Sequence, residues 1–132
     1  MVIDTSAIMA VLLAEPRRPE VLRAIADAPS CVIAAPTRVE LTVALRHTIG
    51  SAAERRSESW LKRFEITTET FTAEHTAIAI DGFRDYGRGS GHPARLNFGD
   101  CFSYALAIAR EEPLLFVGDD FTHTDVQVAL QR

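Results

Sequence analysis

The sequence predicts an α/β fold in which a mostly parallel sheet carries helices on both faces. Two short apolar runs without alternation, Cys31-Val32-Ile33-Ala34 and Leu114-Leu115-Phe116-Val117, read as strands buried on both sides. Segments of helical periodicity separate them, and strands spaced by helices pair in parallel. The chain has 132 residues, of which 47% are apolar and 24% charged; this is enough for one domain with its own core and excludes a disordered chain.

Met1 to Asp4 is a very short apolar strand ending in an acid. Thr5 and Ser6 offer hydroxyls to cap a helix over Ala7 to Ala14, which Pro16 and Pro19 end. Glu20 to Ala28 reads as a short amphipathic helix closed by Pro29. After the strand at Cys31, Pro36 suits the first turn of a helix that runs to about Thr48 and stops at Gly50. Ser51 to Phe64 is a polar helix with an apolar stripe of Trp60, Leu61 and Phe64, destined for the core or a subunit surface. Glu65 to Thr67 is a candidate strand, and Ala73, Ala77, Ile78, Ile80 and Phe83 mark another helix. Glycines 87, 89, 91 and 99 with Pro93 specify a loop from Tyr86 to Phe98. An Ala-rich helix follows from about Asn97 to Arg110, then the strand at Leu114, a turn, and a last edge strand through Val126, Val128 and Leu130.

No apolar run approaches the roughly 20 residues that span a bilayer. The apolar stretch from Ile8 to Ala14 is preceded by Asp4 and by no Lys or Arg, a poor signal peptide, so a cytoplasmic location is expected. Cys31 and Cys101 are too few and too far apart for a disulfide framework or a zinc site and read as small buried hydrophobes. Among the 14 basic residues only Lys62 is lysine, an excess of arginine that suits bidentate phosphate contacts and also follows from GC-rich coding. With a net charge of −4, any contact with nucleic acid must be local.

In open parallel sheets, sites form at the carboxyl ends of the strands. That rule selects Asp4 at the end of the first strand, Glu40 in the first turns of the helix after Ala34, Asp100 in the first turn of the Ala-rich helix, and Asp119 and Asp120 after Val117. Helix N-termini help to hold such anions, by about 0.3–1 kcal/mol each. Several carboxylates in one pocket repel, and a hard divalent cation resolves the repulsion. With no Cys or His in the set, Mg2+ fits, with Mn2+ able to substitute, and zinc does not. Hydrolysis of a nucleic-acid phosphodiester follows from that chemistry.

The stretches Met1-Val-Ile-Asp-Thr-Ser-Ala, Arg38-Val-Glu-Leu, Asn97-Phe-Gly-Asp-Cys and Phe116-Val-Gly-Asp-Asp-Phe resemble the PIN-domain ribonucleases, and among these the VapC toxins of bacterial toxin–antitoxin pairs. The motifs lie at both ends of the chain and between. The resemblance implies a single domain over residues 1–132 built as a three-layer α/β/α sandwich. It also implies a magnesium-dependent endoribonuclease acting on RNA, a homodimer, and a VapB-type antitoxin whose tail reaches the acidic cleft. Asp4, Glu40 and Asp100 carry over as metal-binding and water-positioning acids. For the fourth acid, Gly118 stands where many relatives have the first acid of an Asp-Phe motif; Asp120 matches the pattern better than Asp119, and both remain candidates. Thr5 or Ser6 would orient Asp4 through a hydrogen bond, and Ser103, one helical turn after Asp100, would act likewise.

Arg84, Arg88 and Arg95, with Tyr86 and His92 among them, flank the loop before Asp100 and offer phosphate contacts and base stacking, or a solvated loop. His123 follows the last acid and could touch RNA or serve as a polar turn residue. His47 and His75 fall on helices and have no expected part in chemistry. A phosphoacceptor signalling domain also gathers acids around magnesium, but it needs a lysine at a late strand end, and Lys62 falls within a helix. An inactive PIN-like interaction module is the other alternative.

Overall fold

A computed structural model describes residues 1–130. Strands β1 (Val2–Ile3), β2 (Val32–Ala34), β3 (Thr67–Glu69) and β4 (Leu114–Leu115) form a sheet in the order β3-β2-β1-β4. Every pairing is parallel: Val2 lies opposite both Val32 and Leu114, and Ile33 opposite Thr68. Helices α1 (Thr5–Leu12), α2 (Arg18–Asp27), α3 (Ala35–Ile49), α4 (Ala53–Arg63), α5 (Ala73–Tyr86) and α6 (Asp100–Arg110) complete the order.

The layers follow from the two-residue period of a strand. Val2, Val32 and Leu114 point to one face, where they pack with Ala79 of α5 and Tyr104, Ala105 and Leu106 of α6. Their neighbours Ile3, Ile33 and Leu115 point to the other, against Ile8 and Val11 of α1, Val21 of α2, Leu41 of α3 and Leu61 of α4. The result is the three-layer α/β/α sandwich. Both cysteines are free and buried, one in each of these cores. Trp60 packs in the second core with Phe64 beside it at 4.8 Å, which places that stripe inside the protein.

Several boundaries differ from the sequence reading, each for a local reason. Helix α1 begins at Thr5, because Asp4 itself is the N-cap and its carboxylate accepts from the Ser6 amide at 2.9 Å; the hydroxyls of Thr5 and Ser6 are left for other partners. Strand β3 lies two residues later than expected, its register set by the Thr67 amide donating to the Cys31 carbonyl at 3.1 Å. The last edge strand reduces to a single parallel bridge between Leu114 and Val128, with Val126 buried. His75 completes a capping box with Thr72 at the start of α5. The glycine loop is tied down: Gly87 bridges Leu96, which is fully buried, and the Tyr86 ring packs on His92 at 4.9 Å.

Helix α5 approaches α6 closely because Gly82 has no side chain. A Cβ there would stand 2.5 and 2.6 Å from the Tyr104 ring. The ring cannot easily retreat, since its hydroxyl donates to Asp125 at 3.0 Å. Gly82→Ala is therefore expected to destabilise the fold by about 1–3 kcal/mol through overpacking. Urea unfolding would show this as a lower midpoint at unchanged slope; an unchanged midpoint would mean that the helices slide apart without cost.

Candidate active site

The carboxyl edge of the sheet is where chain-distant acids meet. Asp4 leaves β1 with its amide still donating to the Leu115 carbonyl at 2.9 Å, so the strand ladder fixes its backbone. Its side chain is 4% exposed and firmly oriented. One oxygen accepts from the Ser6 amide and from the Ser6 hydroxyl at 2.6 Å; the other accepts from the Ser103 hydroxyl at 2.7 Å. Ser6 in turn accepts from the Val117 amide at 3.1 Å, tying β1 to the segment after β4. Of the two neighbours expected to orient Asp4, Ser6 does so. Thr5 serves Glu40 instead, donating to it at 3.3 Å.

Glu40 reaches the edge from α3, half-buried, and its carboxylate lies directly over Gly99. Asp100 opens α6, with its amide and carboxylate closed in a reciprocal pair with Asn97: the Asn97 amide donates to Asp100 at 2.7 Å, and the Asp100 amide donates to the Asn97 side chain at 3.0 Å. Burial pushes the Asp100 carboxyl up to about 7, and the charges of Asp4, Asp120 and Glu40 add to the rise against the lowering effect of the Asn97 hydrogen bond. Glu40 is also raised, by burial first and then by Asp4. Asp100 thus stands in the combined field of Asp4, Asp120 and Glu40. No ion pair involves Asp4, Glu40, Asp100 or Asp120 among the described residues, whereas Arg38, Arg46, Arg84 and Arg110 are all paired with acids elsewhere.

Asp120, in the turn after β4, is the third acid whose charge acts on Asp100, beside Asp4 and Glu40. Asp119 and Asp120 both line a polar cavity of about 560 Å3, together with Arg88, Arg95 and His123. Arg84 does not belong there. It pairs with Asp81 at 2.6 Å, one helical turn before it, and with its chain neighbour Asp85 at 2.8 Å, on the surface of α5. Lys62 lies on α4, the helix layer that packs with α1 and α3.

Two participants escaped the sequence reading. Thr37 is fully buried, its hydroxyl 3.3 Å from that of Ser103 and its carbonyl accepting from Thr5 at 3.5 Å, so it links the supports of Asp4 and Glu40. Its position three residues before Glu40, on the same helix face, was the available signal. Gly99, read as a loop glycine, has helical backbone angles of −67° and −40° and underlies Glu40.

A hard dication suits this set. The donors are carboxylate oxygens, the charges of Asp4, Asp120 and Glu40 raise Asp100 and that of Asp4 raises Glu40, and no basic side chain is paired with them among the described residues. No three acidic, histidine or cysteine side chains among the described residues already close around one point. Magnesium tolerates that, since it keeps several waters and takes one or two carboxylates directly.

The PIN domain family matches residues 1–127, and the chain belongs to it. It is 43% identical to Ribonuclease VapC42 of Mycobacterium tuberculosis over 129 residues, 98% of each chain, which sets it with the VapC proteins in that family. Among solved structures it is similar to VapC20 of M. tuberculosis, described as a toxin that cleaves the sarcin-ricin loop, with a TM-score of 0.77 and 18% identity, over 99% of this chain and 98% of that one. A second is VapBC2 of Rickettsia felis, bound to a DNA fragment from its promoter, with a TM-score of 0.72 and 14% identity, over 96% and 94% of the two chains. At those identities the likeness concerns the fold.

Proposed function

We propose that this chain is a metal-dependent endoribonuclease and the toxin of a VapBC-type pair. The observation that carries the reading is the set of four carboxylates, from the end of β1, α3, α6 and the turn after β4, whose charges meet at Asp100 and which have no basic ion-pair partner among the described residues. The name and high identity of the VapC42 ribonuclease support the substrate class.

Asp4, Glu40, Asp100 and Asp120 are the residues that would hold Mg2+, with Mn2+ able to substitute. When bound, the cation would neutralise charge on the scissile phosphate and acidify an attacking water. Asp4 is held rigid by Ser6 and Ser103, so its free lone pairs keep one direction. Glu40, raised in pKa and clasped by Thr5, is placed to take a proton from water. Arg88, Arg95 and His123, lining the cavity next to Asp120, are placed to receive the flanking RNA phosphates. The bias toward arginine is useful at that point for its fork geometry.

The proposed partners are an RNA substrate and a VapB-type antitoxin; the Rickettsia VapBC2 assembly supports the latter by its shared fold. A homodimer is the proposed assembly. Exposed Val39 and Val43 on α3, Ile80 and Phe83 on α5, and Phe98 beside α6 leave apolar surface for a second copy to cover. No described helix is long and apolar enough to cross a membrane, and a cytoplasmic location is proposed.

Incubating the purified chain with structured RNA, with Mg2+ or with a chelator, tests the reading. Internal cleavage that needs Mg2+ or Mn2+ is expected. Intact RNA with metal, or cleavage that persists in chelator, would overturn it. Phosphate transfer to an aspartate with RNA intact would select the phosphoacceptor reading.

A further inference from the structure

We propose that Gly99 is the seat of the Glu40 carboxylate, a positioning residue that acts only through Glu40. The choice of glycine there has no backbone explanation. At φ −67° and ψ −40° the residue is in the ordinary helical region, which every L-amino acid adopts. In that conformation alanine is the better residue, since glycine loses more freedom on folding. Glycine is therefore locally disfavoured, and its reason must be spatial.

Glu40 occupies that space. A Cβ built on Gly99 would collide with the carboxylate carbon and with both oxygens of Glu40. Glu40 meets the Thr5 hydroxyl at 3.3 Å on one oxygen, so the carboxylate is clamped between a hydroxyl and a bare backbone. Gly99 itself is buried and directly precedes Asp100, whose backbone is fixed by Asn97. Neither side of the clamp can give way without moving an acid. The bare α-carbon thereby sets how near Glu40 lies to Asp100, a distance on which any shared ligand depends.

This rests on the reading of Glu40 as one of the metal-holding acids, and the test separates the two. Mn2+ binding, thermal unfolding and RNA cleavage are measured for wild type, Gly99→Ala, Glu40→Ala and the double variant. Gly99→Ala is expected to weaken Mn2+ binding and to cut cleavage by about a hundredfold, the usual cost of misplacing a group by roughly 1 Å. In the Glu40→Ala background the same change is expected to leave Mn2+ binding and residual cleavage unaltered and not to lower the melting temperature, because no carboxylate then occupies the space of the new Cβ. Equal losses in both backgrounds, or wild-type Mn2+ binding in Gly99→Ala, would overturn the proposal. If Gly99→Ala fails to fold, adding Glu40→Asp, which withdraws the carboxylate by one methylene, is expected to restore folding; failure to do so also overturns it. A wild-type chain that binds Mn2+ but leaves RNA intact would sink the nuclease reading alone, and the binding cycle would still decide the role of Gly99.

Discussion

Asp100→Asn is expected to raise the melting temperature of the metal-free protein at pH 8 by roughly 10 °C, and to abolish RNA cleavage. Asp100 is 7% exposed, and its carboxyl stands at about 7 against an ordinary 3.8. Between those values the folded chain holds a proton that the unfolded chain has released. This group's contribution is therefore most favourable at the acid end of the window and is lost as pH rises toward 7. At ~1.4 kcal/mol per pH unit the loss is on the order of 3–4 kcal/mol. Asparagine keeps an oxygen to accept from the Asn97 amide and carries no charge to strand, so its stability should not fall across the same window. Mg2+ added at pH 8 should stabilise wild type and leave the variant unchanged, since a ligand that binds only the folded state stabilises it by mass action. Thermal melts from pH 4 to pH 8, with and without Mg2+, check each part. A variant less stable than wild type at pH 8, or one with the same pH slope, would remove the electrostatic account of the site.

Asp4→Asn is expected to preserve the fold and to lower RNA cleavage by about a thousandfold or more, with loss of growth arrest when the chain is overproduced in a bacterial host. The removed interaction would be worth several kcal/mol of transition-state charge stabilisation, and about 1.4 kcal/mol corresponds to each tenfold in rate. The fold should survive because the partners of Asp4 are adaptable. Its amide group can donate to Ser103, whose hydroxyl can turn toward Thr37, 3.3 Å away, while its remaining oxygen still accepts from the Ser6 amide. Asp4→Ala would lose the cap as well, at a cost of about 1 kcal/mol, and would leave the buried Ser103 with a poorer partner set. The asparagine variant is therefore the cleaner test. Undiminished toxicity in a folded Asp4→Asn protein would mean that the acidic edge is not where the chain does its harm.

The strands at Val32 and Leu114 were legible because unbroken apolar runs of that length have few other uses, and the parallel order followed from the helices between them. The same logic singled out Asp4, Glu40 and Asp100, since strand ends and helix starts can be read from sequence and the edge they share is a rule of the architecture. Choices that stayed open, or read differently, came where a side chain had two equally good local partners. Thr5 and Ser6 each could orient Asp4, and only the turn of α1 gives Ser6 to Asp4 and Thr5 to Glu40. Arg84 reads as a basic loop neighbour, yet the pitch of α5 delivers it to Asp81 and Asp85.

The amino-acid sequence alone determined the layered α/β class and which acids stand at strand ends, because apolar period and helix-start chemistry are local properties. Tertiary structure decided which hydroxyl holds which carboxylate, that Asp120 acts on Asp100, and that the Glu40 carboxylate lies against Gly99. Those facts depend on distances between residues up to 99 positions apart, as between Asp4 and Ser103, and only the packing of helices on the sheet sets such distances.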